Sequence, residues 1–244
     1  MELRANERID DLQRGGLRVI QRTDAFRFGT DAVLLSAFAA PRKRDRLCDL
    51  GTGTGVIPLL LYGREPTITG DAVELQPDMA DMAARSMALN GLSDRLRVHA
   101  GDLRRIRELL PHAAYDLVTC NPPYGKAGGT LLNPAESKRL ARHEETCAIG
   151  DVARAAVWLL HEGGRLCCVF PAARLLELID ALQDCRLEPK RLRMAHSRAD
   201  KQAHLCLVEA MLYAHPGLRV EPPLVIYDES GQYTPELRRI YGLD

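Results

Sequence analysis

The chain has 244 residues, 46% of them hydrophobic, with 33 basic residues against 33 acidic ones. That is enough apolar material for one large α/β domain, and a zero net charge excludes a protein that is basic over its whole surface. No apolar run approaches the roughly 18 residues of a membrane span, and the charged start MELRANERIDDLQRGG has no secretory pattern. The seven cysteines form no Cys-x-x-Cys pair and no Cys/His cluster with zinc spacing. They read as small buried core residues in a reducing compartment, and no metal is expected. The protein reads as soluble and cytoplasmic, without membrane association.

Residues 1–45 form a polar, arginine-rich lead-in with one amphipathic stretch from Asp31 to Ala40, and this segment is expected to pack near the functional site. A rhythm of short apolar runs and helical segments then begins. Arg46–Leu50 reads as a buried strand, Gly55–Gly63 as a helix with Pro58 in its first turn, and Ile68–Leu75 as a strand. Pro77–Asn90 reads as a helix capped by Gly91, Leu96–Ala100 as a strand, and Leu103–Leu110 as a short helix. Asp116–Cys120 is a strand, followed by a long loop and a helix over Ile149–His161. Gly164–Phe170 is a strand and Ala172–Gln183 a helix. Strands alternating with helices imply βαβ units and a parallel sheet covered on both faces. Leu187–Ala195 and His204–Tyr213 break the rhythm as two strands around a polar turn, which suits an antiparallel pair. The main α/β body thus spans residues 46–213, and residues 214–244, with four prolines, are expected to be an extended tail packed on the core.

Two motifs and two strand-end carboxylates carry chemistry. Asp49-Leu-Gly51-Thr-Gly53-Thr-Gly55 follows the first strand of the alternating region and precedes a helix, where glycines let the chain turn sharply and let a ligand reach main-chain N–H groups. Val56 stands where the dinucleotide fingerprint wants its third glycine, so a nicotinamide or flavin dinucleotide is disfavoured. Glu74, ending the next strand, is placed to accept the two ribose hydroxyls of a nucleoside. Asp102, after the third strand, is either an acceptor for an adenine amine or an ordinary helix N-cap. The most specific motif is Asn121-Pro122-Pro123-Tyr124, ending the strand DLVTC. An aromatic amine or amide nitrogen is a poor nucleophile because its lone pair is delocalised. The Asn121 side-chain oxygen and the Pro122 carbonyl can hold its two hydrogens, Pro123 stiffens the turn, and Tyr124 offers a flat face for a planar substrate.

The glycine run resembles motif I of the class I S-adenosylmethionine-dependent methyltransferases, and Asn-Pro-Pro-Tyr resembles motif IV of those that methylate adenine N6 or the glutamine N5 of release factors. Further segments are similar to one family, the tRNA1(Val) adenine-37 N6-methyltransferases. They are Phe28-Gly29-Thr30-Asp31-Ala32-Val33-Leu34-Leu35, Ala141-Arg142-His143-Glu144, Lys201 through Glu209, and the tail from Pro223 through Tyr227 and Tyr233 to Glu236. The resemblance implies a Rossmann-like α/β fold, with a mostly parallel seven-stranded sheet and a terminal antiparallel hairpin. It implies S-adenosylmethionine as cofactor, held by Gly29, Asp31, Asp49, Gly51, Gly53, Gly55, Glu74, Asp102 and Asn121. It implies transfer to the N6 of a tRNA adenine, the one beside the anticodon, with Asn121, Pro122, Pro123 and Tyr124 as the catalytic set.

Two other readings compete: glutamine N5 methylation of a release factor, and a catalytically silent RNA-binding protein on the same fold. Only 45 residues precede the strand at Arg46, too few for the larger helical N-terminal domain of the release-factor enzymes. A silent binder has no need of Asp49, Glu74 and the Asn-Pro-Pro-Tyr motif together. For the RNA surface, residues 186–201 hold six basic residues against two acidic ones. Arg191, Arg193 and Lys201, with Arg142 in the long loop, are the candidate tRNA contacts. His143 reads as a cap or surface residue rather than a general base. The loop from Gly125 to Cys147, with Lys126, Lys138 and Arg139, is expected to close over an extruded base.

Overall fold

The apolar runs and amphipathic helices assemble as their periodicities require, into one mostly parallel sheet with helices on both faces. The computed structural model describes residues 3–23, 29–122 and 148–243. It opens with a hairpin, β1 (Glu7–Asp11) and β2 (Arg18–Arg22), followed by α1 (Thr30–Ala39). The alternating unit comprises β3 (Arg46–Leu50), α2 (Val56–Arg64), β4 (Thr69–Glu74), α3 (Pro77–Leu89), β5 (Leu96–Ala100), a 3-10 turn running into α4 (Ile106–Leu109), and β6 (Tyr115–Cys120). After residue 148 come α5 (Ile149–Leu159), β7 (Leu160–Pro171), a 3-10 turn, α6 (Leu175–Asp184), β8 (Leu187–His196) and β9 (Ala203–Leu212). Two short strands, β10 (Arg219–Val220) and β11 (Leu224–Val225), and a helix α7 (Pro235–Tyr241) complete the described chain.

The strand order is β10-β8-β9-β7-β6-β3-β4-β5, with β11 also paired to β8. Strands β3 to β7 run parallel, and β9 is antiparallel to both β7 and β8. The seven long strands, the late hairpin among them, are those read from the sequence; β10 and β11, too short to show a pattern of their own, bring the sheet to nine strands rather than seven. The central strands β3 and β6 are buried on both faces, which is why RLCDL and DLVTC are largely continuous apolar runs rather than alternating ones, whereas the edge strand β5 is partly exposed. One cluster of core side chains lies under α1, α2 and α3, with Leu12, Val19 and Leu237 added from the hairpin and α7. The other lies under α4, α5 and α6.

The structure departs from the sequence reading at both flanks. The lead-in contains a hairpin that docks on α3: Ile20 N donates to Ser86 Oγ at 3.0 Å and Arg18 N to Asn90 Oδ1 at 2.9 Å. Arg85 forms a fork on Glu7 at 2.5 and 2.7 Å, and that guanidinium holds the Glu7 carboxyl near 2. The tail is not wholly extended. Thr234 caps α7 by accepting from Leu237 N, with Pro235 in the first turn, the pattern expected of a helix start.

The order of strands reverses between β3 and β6. From β3 the chain moves outward to β4 and β5, and from β6 outward the other way to β7. In an open α/β sheet such a reversal leaves a crevice at the carboxyl ends of the two strands, where ligands bind.

Candidate active site

Register fixes what lines this crevice. Leu50 pairs with Cys120, so Gly51 and Asn121 leave adjacent strands side by side, one inter-strand spacing of about 4.8 Å apart. Leu50 also pairs with Val73, and Glu74 with Ala100. Asn121, the glycine loop, Glu74 and Asp102 therefore follow one another along a single sheet edge, over three strand spacings or roughly 14 Å.

The loop after β3 is clamped to β4. Gly51 N and Thr52 N both donate to Val73 O, at 2.9 and 3.1 Å, and Gly53 N donates to Glu74 Oε2 at 2.9 Å. Gly51 and Gly53 have φ of +70° and +57°, with nothing within 4 Å of where a Cβ would stand. These residues make an open, backbone-lined cradle. Gly55 has a different reason to be glycine: φ is +86°, which side chains rarely adopt, and a Cβ would also crowd Ala83 at 3.3 Å and the Met87 methyl on α3.

Asp49 is fully buried at the end of β3. Its Oδ1 accepts from Thr119 Oγ1 on β6 at 2.6 Å, which ties the two strands at the switch point together. Burial pushes its carboxyl up to about 7; the Thr119 and Thr52 hydroxyls hold it down, and the charge of Glu74 adds to the rise. Asp49 Oδ2 and Thr52 Oγ1 are both buried without a well-formed hydrogen bond. The Thr52 hydroxyl favours the charged carboxylate from nearby without completing one. Buried polar atoms nearly always find partners, so an acceptor and a hydroxyl orphaned beside an open cradle mark a place that a polar ligand completes. A nucleoside cofactor carrying an ammonium group fits that donor and acceptor set. Glu74 is also buried and is held rigid, its Oε1 accepting from Gln76 N at 2.9 Å.

The other sequence-derived residues fall as follows. Gly29 is the N-cap of α1, and Asp31 lies in its first turn. Burial raises the Asp31 carboxyl above the ordinary range, opposed by a backbone hydrogen bond and by His204 at the start of β9. That pairing places Asp31 beyond β7 at the same end of the sheet. Asp102 accepts from Arg104 N at 2.9 Å and clasps the Arg104 guanidinium, which lowers its carboxyl. The N-cap alternative is thus realised, with the residue still on the crevice edge. Asn121 is half-buried and Pro122 buried. Pro123, Tyr124, Arg142 and His143, with the whole loop 123–147, lie outside the described residues. Thr119 and Thr52 were not singled out from the sequence, because a threonine in a buried strand or a glycine loop carries no signal of its own.

In the structure the basic stretch near β8 is engaged with acidic partners. Arg191 donates to Glu221 and Glu209, both at 2.9 Å, and its guanidinium lies over the Phe38 ring. Arg193 forks on Glu236 at 2.7 and 2.9 Å and donates to Pro222 O. Both side chains are about one-fifth exposed. They pin the tail to the sheet and, with Glu221 and Glu236, line a cavity of about 330 Å³. Lys201 alone of the three is exposed, in an ion pair with Asp200 at 3.3 Å. No helix of the described residues is long and apolar enough to cross a membrane, and no group of three metal-ligating side chains occurs among them.

Comparison with known proteins agrees with this geometry. Residues 23–185 match the family model of the methyltransferase small domain. A tRNA1(Val) (adenine(37)-N6)-methyltransferase of Porphyromonas gingivalis is 32% identical over 88% of this chain and 87% of its own length. One of the same name from Parabacteroides distasonis is 34% identical over 68% and 69%. Among solved structures, a predicted O-methyltransferase from Agrobacterium tumefaciens superposes with a TM-score of 0.72 at 24% identity, covering 86% of this chain and 95% of that one.

Proposed function

Since the chain belongs to the methyltransferase small domain family, and within it to the tRNA1(Val) (adenine(37)-N6)-methyltransferases, we propose that it methylates the exocyclic N6 of a tRNA adenine, the one beside the anticodon, using S-adenosylmethionine. The observation that carries this reading is the placement of Asn121 beside the glycine cradle across the switch point. Bound in the cradle, S-adenosylmethionine supplies an electrophilic methyl group. The residues of the chain do the rest. Glu74, fixed from both sides by backbone amides, takes the ribose hydroxyls. Asp49 Oδ2 takes a cationic group of the cofactor, which returns that carboxyl to its charged form. Asp102 or the backbone next to it borders the adenine, and Gly29 and Asp31 close the pocket from the α1 side.

Asn121 and the Pro122 carbonyl accept the two hydrogens of the target amine and turn its lone pair toward the methyl group. This is a positioning effect that needs no general base in the described site. Pro123 and Tyr124 complete the motif as stiffener and stacking face. Lys201 and Arg142 remain candidates for phosphate contacts. The test is incubation with a labelled methyl donor and separate tRNA and protein fractions, followed by digestion of the labelled material. N6-methyladenosine is expected. Label in methylated glutamine would shift the substrate to a release factor, and cofactor binding without any transfer would leave a silent binder.

A further inference from the structure

The protein has seven tyrosines, and three of them form one column in the tail. Tyr227 stacks on Tyr233 with centroids 5.5 Å apart and planes 26° apart, and Tyr233 on Tyr241 at 5.4 Å and 15°. The inner end is anchored at the site: Tyr241 Oη meets Thr30 Oγ1 at 3.3 Å, next to Gly29 and Asp31. The outer end is not covered in the same way, since Tyr227 is 37% exposed although one of its faces rests on Tyr233.

Topology puts this outer ring on the crevice side. β11 pairs in parallel with the last residues of β8, Ala195 and His196, so Tyr227, two residues past β11, emerges at the carboxyl end of the sheet. Four strand spacings separate β6 from β11, through β7, β9 and β8. That places Tyr227 roughly 19 Å from Asn121 along the edge, the length of five or six stacked nucleotides at about 3.4 Å each.

The ring is held still. Tyr227 N donates to Ser197 O at 2.9 Å, and Tyr227 bridges Tyr233 across a turn. The Asp228 carboxylate braces that turn by accepting from Ser230 N, Ser230 Oγ and Gln232 N at 2.9, 2.7 and 3.0 Å. A rigid aromatic face loses little entropy on binding. The charges around it carry no basic excess: the Arg198 guanidinium lies against Gly231 and Lys201 pairs with Asp200, against which Asp228 and Glu229 sit in the turn. Such a surface offers a polyanion stacking rather than ion pairing.

We propose that Tyr227, backed by Tyr233 and Tyr241, is a stacking platform for an unpaired nucleobase of the RNA substrate, several nucleotides away from the base that enters the crevice. The proposal rests on the reading of the protein as a tRNA methyltransferase. Its signature is a loss of RNA affinity without a change in counterion release, because a stacked base neutralises no phosphate.

The test measures binding of an unmodified tRNA1(Val) transcript across a range of salt concentrations, with cofactor affinity measured by calorimetry on the same preparations. Tyr227→Ala is expected to weaken RNA binding roughly 5- to 150-fold, with the salt slope and the cofactor affinity unchanged. Tyr227→Phe should bind as the unaltered protein does. Tyr213→Ala, which alters an exposed tyrosine at the opposite end of the sheet, should also leave RNA affinity unchanged. Tyr227→Trp keeps a stacking face, and its added fluorescence should be quenched by the transcript. This arm decides the matter even if the alanine variant does not fold. Three results would each overturn the platform: wild-type affinity in Tyr227→Ala, equal losses in Tyr227→Phe and Tyr227→Ala, or emission from the introduced indole that the transcript leaves unquenched. A protein that transfers no methyl group to tRNA at all would instead overturn the reading beneath it.

Discussion

The β3–β4 corner and the arginine ladder of β8 both look from the sequence like functional charge, and the structure treats them in opposite ways. At the corner, Asp49 is buried with one carboxylate oxygen lacking a partner, beside a cradle that a side chain would fill. On β8, Arg191 and Arg193 each find glutamates and carbonyls that satisfy them within the fold. Burying a polar group without its partner costs stability. At Asp49 the unpartnered oxygen lies beside an open cradle that a ligand can fill, whereas the partners of Arg191 and Arg193 join the tail to the sheet.

The comparison is sharpest at the crevice. Asn121→Ala should lower turnover on tRNA by about 10² to 10³-fold, the scale for loss of one preorganised polar group in a transition state. Cofactor affinity should stay within a few fold by calorimetry. A normal rate would remove Asn121 from its assigned role.

Asp49→Asn separates ligand binding from stability. The folded carboxyl sits at about 7 against 3.8 for an ordinary one. Its proton is therefore held by the folded state after the unfolded chain has released its own. The stability this confers is complete below about pH 4 and is lost as the pH rises to 7. The asparagine variant has no such proton to lose. Its melting temperature without cofactor should rise relative to the unaltered protein between pH 4 and 7 and hold that advantage above, while its affinity for S-adenosylmethionine falls at least tenfold. A difference in melting temperature that does not vary with pH would contradict the burial of this carboxylate.

Arg191→Ala tests the other region. Removing a partly buried cation from between Glu209 and Glu221 should destabilise the fold by about 1–3 kcal/mol in denaturant titration, less than for a fully buried pair because of its exposure. RNA affinity and its salt slope should not change. A reduced slope would return Arg191 to the RNA surface. The smallest effect is expected for Lys201→Ala. This exposed residue should contribute almost nothing to stability, and if it meets a phosphate it should reduce the salt slope by about one.

The interior was legible wherever burial dictates pattern. Arg46–Leu50 and Leu96–Ala100 appear as read, and Pro77 and Gly91 bracket α3 as their backbone preferences require. Of the candidate site, the legible part was its backbone demands: glycines at positive φ and carboxylates at strand ends. What escaped was structure defined by partners distant in sequence. The strands ERIDD and RVIQR are too charged to announce a hairpin, because the helix they dock on, α3, comes more than sixty residues later. Thr234-Pro235-Glu236 did carry a helix-start signal, which the density of prolines around it obscured. The ion pairs of the β8 arginines escaped for the same reason, since Glu209, Glu221 and Glu236 come from another strand and from the tail.

The place of β9 has a consequence for how the protein is made. It lies between β7 and β8, antiparallel to both, although both precede it in the chain. Until residues 203–212 leave the ribosome, β7 ends the parallel sheet with an open edge and β8 has no neighbour at all. Synthesis therefore passes through a stage in which the crevice strands can already be paired while an apolar edge stands ready to capture other chains. The strand that follows closes this gap like the last stave of a barrel, and the tail with its tyrosine column can dock only afterwards.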